Sequence, residues 1–389
     1  MKFKILSLDG GGIRGVLSAT LLKELETQLR KIKNQSLHEY FDLVTGTSTG
    51  SILAAGIVCQ MTADEMVKIY INDGNKIFIE SIRNQRKTRF VSKTFGGTVS
   101  QVLGGHVLYP HEHGEEGLAK ILQKRLIHKA LGKSLKMREI NKPNILIPAY
   151  DVYSRNTTWF VNNNPENSEE TWYDNIELWK ICTASASAPT FFPPYELPYN
   201  AEQNLPHIDG GVSANNPSLA AIAHALFIKK KEGLNLKDIA VFSIGTGNTT
   251  YPHTYDEIKG WGDIEWAKNI PDLFMSPSAK NSEDICGQML ESVGGCNLRL
   301  NFDLNERFQA EKQPNRLREN LSKRDKPYNQ YIAKNKNEHK KVSEDMDNPD
   351  NCLDLIEAAE CYLDCGETYY NNGWIPVREA IQDFIVSNG

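Results

Sequence analysis

The 389-residue chain has no apolar run of membrane-spanning length, and its opening Met1-Lys2-Phe3-Lys4-Ile5-Leu6-Ser7-Leu8-Asp9 is too short in apolar residues for a secretory h-region. Cysteine is sparse: seven, an odd number, spread from Cys59 to Cys365 without a Cys-x-x-Cys pair. That pattern argues against a disulfide framework and suits a reducing compartment, so the expected location is cytoplasmic, with peripheral contact at the membrane compatible with it. Cys361 and Cys365 share a helix face, where ordinary semi-buried thiols explain them better than zinc. Charge of one sign is also missing: 44 Lys and Arg against 49 Asp and Glu leave a net −5, which demands no nucleic acid as partner. No repeat is evident. Of the nine histidines, none sits in a compelling strand-end loop after an acidic partner.

What is present is a rhythm of short apolar strand candidates and amphipathic helix candidates. Phe3 to Leu8 reads as a strand, Gly15 to about Ile32 as a helix, Tyr40 to Thr45 as a strand, and the segment after Gly50 as a helix. This βαβα order implies a mainly parallel sheet covered by helices. Ile145 to Ala149 and Ile239 to Ile244 are continuous and apolar, as strands buried on both faces are. The sheet is expected to extend to about residue 245, giving a sheet domain over 1–250 and a mostly helical extension over 251–389. Asn75 to Gly114, with Arg83, Arg86, Lys87, Arg89 and Lys93 followed by Gly96-Gly97 to Gly104-Gly105, reads as an irregular insertion. Asn315 to Lys341 is too polar for core. Asp350-Asn351 offer caps for a helix from about Leu353 to Leu363, and a last helix follows Pro376.

Gly46-Thr47-Ser48-Thr49-Gly50 lies between a strand candidate and a helix candidate, the context of a nucleophile elbow. Glycines on either side remove the Cβ atoms that would clash, and the serine hydroxyl emerges near a helix N-terminus. Ser48 is the candidate nucleophile, against the plainer reading of a tight packing turn. Asp9-Gly10-Gly11-Gly12-Ile13-Arg14-Gly15 stands between the first strand and the first helix. It fits a dinucleotide fingerprint, with Glu39 and Asp42 where a ribose ligand is sought, but Asp9 would repel a pyrophosphate. It fits better an oxyanion hole in which backbone N–H groups of Gly10, Gly11 and Gly12 face one concavity, because the dinucleotide reading leaves the serine elbow unexplained; plain turn packing is the third reading.

With no compelling histidine, the better candidate for the base is Asp209, in Ile208-Asp209-Gly210-Gly211-Val212-Ser213-Ala214-Asn215-Asn216-Pro217. An aspartate of ordinary pKa, about 3.9, is poorly matched to a serine; burial would have to raise it, or the oxyanion hole would have to carry most of the stabilisation. Asp209 as a turn residue making Asx hydrogen bonds stays open.

The glycine turn, the elbow and Asp209-Gly210-Gly211, in that order, resemble the patatin-like phospholipases. So do Ala184-Ser185-Ala186-Ser187-Ala188-Pro189-Thr190-Phe191-Phe192-Pro193-Pro194 and Ser243-Ile244-Gly245-Thr246-Gly247. The resemblance implies a three-layer α/β/α sandwich and a Ser48–Asp209 dyad without histidine, with Arg14 beside the oxyanion hole. It implies release of fatty acids from phospholipids or other acyl-ester lipids at a membrane surface, with no metal and no cofactor. Met346-Asp347-Asn348-Pro349-Asp350-Asn351 resembles the tail of bacterial members, some switched on by cyclic nucleotides, which suggests gating by a small-molecule activator or by homo-oligomer formation. The alternatives are an acyltransferase of related fold, although those usually carry histidine where this chain has Thr47, and a nucleotide-binding regulatory protein.

Three further features have bland readings beside functional ones. His111-Glu112-His113-Gly114-Glu115-Glu116 resembles a metal cluster but lacks matching distant ligands, and a capped acidic helix start explains it better. Phe191-Phe192-Pro193-Pro194-Tyr195 suits an acyl groove, a bilayer contact or core packing. Arg83 to Lys93 is either solvated or attracted to anionic headgroups.

Overall fold

The structure is a computed structural model and describes residues 2–91, 107–163, 170–249, 253–305 and 342–389. Eight strands form one mixed sheet: β1 (Phe3–Leu8), β2 (Leu43–Gly46), β3 (Asn144–Asp151), β4 (Asn156–Val161), β5 (Tyr195–Pro198), β6 (Asn204–Asp209), β7 (Ile239–Ile244) and β8 (Cys296–Leu300). β3, β2, β1, β7 and β8 run parallel in that spatial order, while β4 and β6 are antiparallel to β3.

Strand periodicity divides the core between the two faces. In β1, Leu6 and Leu8 join one apolar cluster and Phe3 and Ile5 the other; in β7, Ala240, Phe242 and Ile244 face opposite to Ile239 and Val241. The larger cluster is covered by α1 (Gly15–Lys33), α3 (Thr49–Val58), α4 (Ala63–Ile77), α6 (Leu118–Arg125) and α7 (Leu178–Ser185), with α2 (Leu37–Tyr40) at its edge. The smaller is covered by α9 (Ser218–Ile228) and α11 (Asp263–Ser292), which follow the short α8 (Gly211–Ala214) and α10 (Tyr255–Ile258). Each Leu or Ile fully removed from water here contributes roughly 1.5–3 kcal/mol. The result is the three-layer α/β/α sandwich, with the helical C-terminal extension formed by α12 (Cys352–Cys365) and α13 (Val377–Asn388). Both pack into the larger cluster through Leu355, Ala359, Ile381 and Phe384.

Several elements depart from the sequence reading. β2 begins at Leu43 because Ser36 and Glu39 form a reciprocal cap, with Ser36 N donating to Glu39 Oε2 at 2.8 Å, and this holds Leu37–Tyr40 in a helical turn. The sheet continues past residue 245, since β8 pairs in parallel with β7. The basic segment is helical as far as Val91, since α4 runs to Ile77 and α5 spans Glu80–Val91; Lys93 lies outside the described residues. Arg83 is buried and donates to Asp350 Oδ2 at 3.1 Å, and Arg86 donates to the carbonyls of Val107 and Thr190. Neither is presented to a lipid headgroup. The glycine-rich stretch at 96–105 and the polar stretch at 315–341 lie outside the described residues. A hairpin, β9 (Glu367–Tyr370) and β10 (Gly373–Pro376), joins α12 to α13.

Candidate active site

Sheet topology brings Ser48 and Asp209 together. β4 takes one edge of β3 along Leu146 to Asp151, so β2 and β6 must share the other. β2 pairs there with Asn144 to Leu146, and β6, running the opposite way, places Asp209 across from Ala149. The two strands therefore approach head to head, with Gly46 at one end and Asp209 at the other. Beyond Gly46 the chain swings out and α3 starts at Thr49, leaving Ser48 at φ 54°, ψ −122°. A non-glycine residue held there is strained by about 1–3 kcal/mol, and such strain persists only where neighbours enforce it. The enforcing bonds are Thr47 N to Leu8 O (3.1 Å), Thr47 Oγ1 to Ala214 O (2.6 Å), Ser48 N to Ser185 Oγ (3.0 Å) and Ser51 Oγ to Ser48 O (2.6 Å). The flanking glycines admit backbone on both sides: a Cβ at Gly46 would strike Gly50 O, and one at Gly50 would strike Leu8 O.

Asp209 is buried, and its Oδ1 accepts from Gly211 N at 2.7 Å. Burial pushes its pKa up to about 6, against the pull of hydrogen bonding from Ser48 and from the Gly211 amide. Oδ2 nevertheless lacks a well-formed hydrogen bond among the described residues, so the Ser48 hydroxyl is near this carboxylate without a closed contact. Loose contacts of this kind are usual in the absence of substrate. Gly210 packs against the Pro148 carbonyl and Gly211 against Met275.

The glycine turn lies beside Ser48. Gly10 donates its N–H to Asn215 O at 3.1 Å, so it has no amide left to offer a substrate, contrary to the sequence expectation. Gly11 N and Gly12 N have no acceptor among the described residues, and both residues line the cavity that Ser48 and Asp209 also line. Gly12 sits at φ 58°, and a Cβ there would meet Met346 O. Arg14 is buried where α1 begins and is not part of the cavity wall; Gly15 packs against Thr49 and Tyr70. The ribose ligands sought by the dinucleotide reading are committed elsewhere, Glu39 to the Ser36 cap and Asp42 to Lys4 N at 2.8 Å.

The cavity measures about 260 Å³, and its wall is mainly apolar, with Ile13, Ile52, Tyr70, Phe78, Leu118 and Phe192 contributing. Phe192 thus serves core and cavity at once, and Phe191, which also lines the cavity, packs its ring against the Arg86 guanidinium at 5.1 Å. His111 is a packing residue: its Nε2 contacts Pro193 O at 2.9 Å, its ring stacks on Phe192, and burial lowers its pKa. The cap expected at Glu115-Glu116 is absent from α6, whose N-cap is Gly117 without a side-chain bond. Sequence reasoning missed Met275 and Met346, which flank the cavity, and Ser185, which fixes the elbow amide. Ser185 stood in a motif block already singled out and Met346 at the head of another, the tail block 346–351, but Met275 carries no such signal. No helix among the described residues is long and apolar enough to cross a membrane.

A family profile, Patatin-like phospholipase, matches residues 6–222. Patatin-T5 of Solanum tuberosum is 30% identical over 306 residues, covering 71% of this chain and 69% of its own. "Probable inactive patatin-3-Kuras 1" of the same plant is 26% identical over 329 residues, covering 77% and 78%. Patatin-like protein 3 of Arabidopsis thaliana is 30% identical over 292 residues, covering 67% and 63%. Among solved structures, VipD from Legionella pneumophila overlays on 92% of this chain and 67% of its own with TM-score 0.37 and 13% identity, which is too remote to support the bacterial subtype expected from the tail. The matched span begins within β1 and ends within α9, so it takes in the glycine turn, the elbow and Asp209 together, and on that match the chain belongs to the patatin-like phospholipase family.

Proposed function

We propose that the chain is a lipid acyl hydrolase in which Ser48 is the nucleophile and Asp209 the general base. The observation that carries this reading is the convergence of Ser48, Asp209, Gly11 and Gly12 on the wall of one largely apolar cavity, with the Gly11 and Gly12 amides unclaimed among the described residues. The acyl chain of an ester lies in the cavity, where burial of each methylene is worth about 0.8 kcal/mol. Ser48 Oγ attacks the carbonyl carbon while its proton passes to Asp209 Oδ2. The negative charge moves to the carbonyl oxygen, which accepts hydrogen bonds from Gly11 N–H and Gly12 N–H. The intermediate collapses with cleavage of the ester C–O bond, and the alcohol leaves with the proton from Asp209. Water then attacks the acyl-Ser48 ester, giving its proton to Asp209, and the fatty acid is released as Ser48 is reprotonated. An Asp209 pKa near 6 makes this carboxylate a stronger base than an exposed aspartate while leaving it ionised at pH 7.

The test is release of free fatty acid from mixed phospholipid vesicles in the presence of EDTA, by wild type and Ser48→Ala in parallel. Release by wild type alone supports the reading. Equal release by both removes Ser48 from the reaction, and release by neither, together with no labelling of wild type by a fluorophosphonate, marks an idle site.

A further inference from the structure

The glycine turn is anchored from a strand outside the matched residues 6–222. Ser7, Ser243 and Arg299 stand in register across β1, β7 and β8, so their side chains project from one face of the sheet. Arg299 reaches back along this row: Nη1 donates to Ser243 Oγ at 2.7 Å and to Asp9 Oδ1 at 2.9 Å, and Nη2 donates to Asp9 Oδ2 at 2.5 Å. Its Nε donates to Glu283 Oε2 at 3.3 Å, and its own carbonyl accepts from Thr368 Oγ1 at 2.7 Å. Asp9 and Arg299 are 4% and 9% exposed at their side chains, so the pair is desolvated. Asp9 is the residue before Gly10, and its N–H donates to Ile244 O at 3.0 Å. The start of the turn is thereby fixed twice, by β7 through the backbone and by β8 through the side chain.

We propose that Arg299 is a positioning residue for the oxyanion hole, an inference that rests on the reading of Ser48 as nucleophile. It touches no reacting atom. A two-pronged guanidinium grip on a carboxylate fixes direction as well as distance, and here it fixes the peptide that leads into the Gly11 and Gly12 amides. It also supplies charge balance. An unpaired Asp9 carboxylate next to these amides would oppose the negative charge they must stabilise, and the Arg299 guanidinium offsets it. The same polar row continues through Ser218 Oγ, 3.4 Å from Ser243 Oγ and 2.6 Å from Asn216 Oδ1, into the loop that follows Asp209. One buried network from β8 therefore braces both halves of the site.

The experiment uses the full chain and a soluble p-nitrophenyl ester, with active sites counted by fluorophosphonate so that turnover is expressed per competent site. Arg299→Lys keeps the charge and loses the fork, and should lower kcat per site by about tenfold; Arg299→Gln should lower it by about 100-fold, the scale of losing one oxyanion donor, with KM changed by no more than about twofold. Where Arg299→Gln does not fold, Asp9→Asn combined with Arg299→Gln removes both buried charges and should still show the kcat loss with KM retained. Unchanged turnover per labelled site, with only the number of sites or the Tm reduced, would show Arg299 to be structural and overturn the proposal. An active wild type with such variants overturns the Arg299 role alone, whereas a wild type that neither labels nor turns over overturns the hydrolase reading and the Arg299 role with it.

Discussion

Asp209→Asn is the substitution whose consequences for stability and for activity pull in opposite directions. In the folded chain burial raises the Asp209 pKa from the ordinary 3.8 to about 6, so the fold tolerates the protonated carboxyl better than the carboxylate. That displacement corresponds to roughly 3 kcal/mol of folding free energy. For a raised pKa the contribution is fully present below the unfolded value and is lost as pH rises through the folded one. Wild type should therefore lose stability relative to Asp209→Asn between about pH 4 and pH 6, and remain at its disadvantage above. Asparagine preserves the acceptor for the Gly211 amide, now 2.7 Å from Oδ1, and carries no charge to desolvate. Urea denaturation of both proteins at pH 4.5 and pH 8 reads the effect, because all other titrating groups cancel in the comparison. The gap should widen in favour of Asp209→Asn by roughly 2 kcal/mol at pH 8, with its activity abolished or nearly so. Wild-type kcat/KM should rise with pH through a midpoint near 6 and level off above about pH 7, as the base becomes ionised. An identical gap at the two pH values would refute the argument that burial sets this pKa, and wild-type rates in Asp209→Asn would refute its role as base.

Two further outcomes follow from the geometry. Ser48→Gly and Ser48→Ala should both be inactive, but the glycine variant relieves the strain at φ 54° and should be the more stable by about 1 kcal/mol after its greater unfolded-state entropy is allowed for; equal Tm values would show that Ser48 is unstrained. Leu118→Trp adds bulk to the apolar wall of the cavity and should shift preference toward short acyl chains by about tenfold in the ratio of kcat/KM for short over long p-nitrophenyl esters, whereas an unchanged ratio would place the acyl chain elsewhere.

The parts of the site that were legible in the sequence are those in which a backbone demand selects a residue type. Gly46 and Gly50 announce the elbow because no side chain fits where they sit, and β1 and β7 announce themselves because both faces are buried. β8 was illegible for a physical reason. Cys296-Asn297-Leu298-Arg299-Leu300 alternates apolar and polar like a half-exposed strand, yet its arginine side chain is only 9% exposed, matched by an aspartate 290 residues away. A buried ion pair at such separation leaves no local trace. The start of β2 was misplaced because Tyr40 and Phe41 are as apolar as strand residues, and the Ser36–Glu39 cap that overrides them acts from outside the apolar run. Which amides of the glycine turn are free was likewise beyond the sequence, since Gly10 is satisfied by Asn215, a residue brought in by the Asp209 loop.

The use of aspartate as the proposed base places a requirement on the backbone that a histidine would not. An aspartate carboxyl stands one carbon from Cβ and has little reach, so its main chain must come close to the nucleophile. Neighbouring strands run 4.7–4.9 Å apart, and in a purely parallel sheet each strand end is followed by a loop and a helix that fill the space beyond it. β6 avoids this by entering from the opposite direction along the edge of β3 that β2 vacates after Thr45. The antiparallel strand thus occupies the continuation of β2's own track, and the serine displaced from that track faces the aspartate that took its place. Gly210, against the Pro148 carbonyl, lets β6 turn away as soon as Asp209 is delivered. The geometry of the proposed dyad is set by main-chain pairing on β3, which is why the bonds of Ser185 to Ser48 N and to Pro148 O, at 3.0 and 2.7 Å, matter: they tie the elbow to the same strand that registers Asp209.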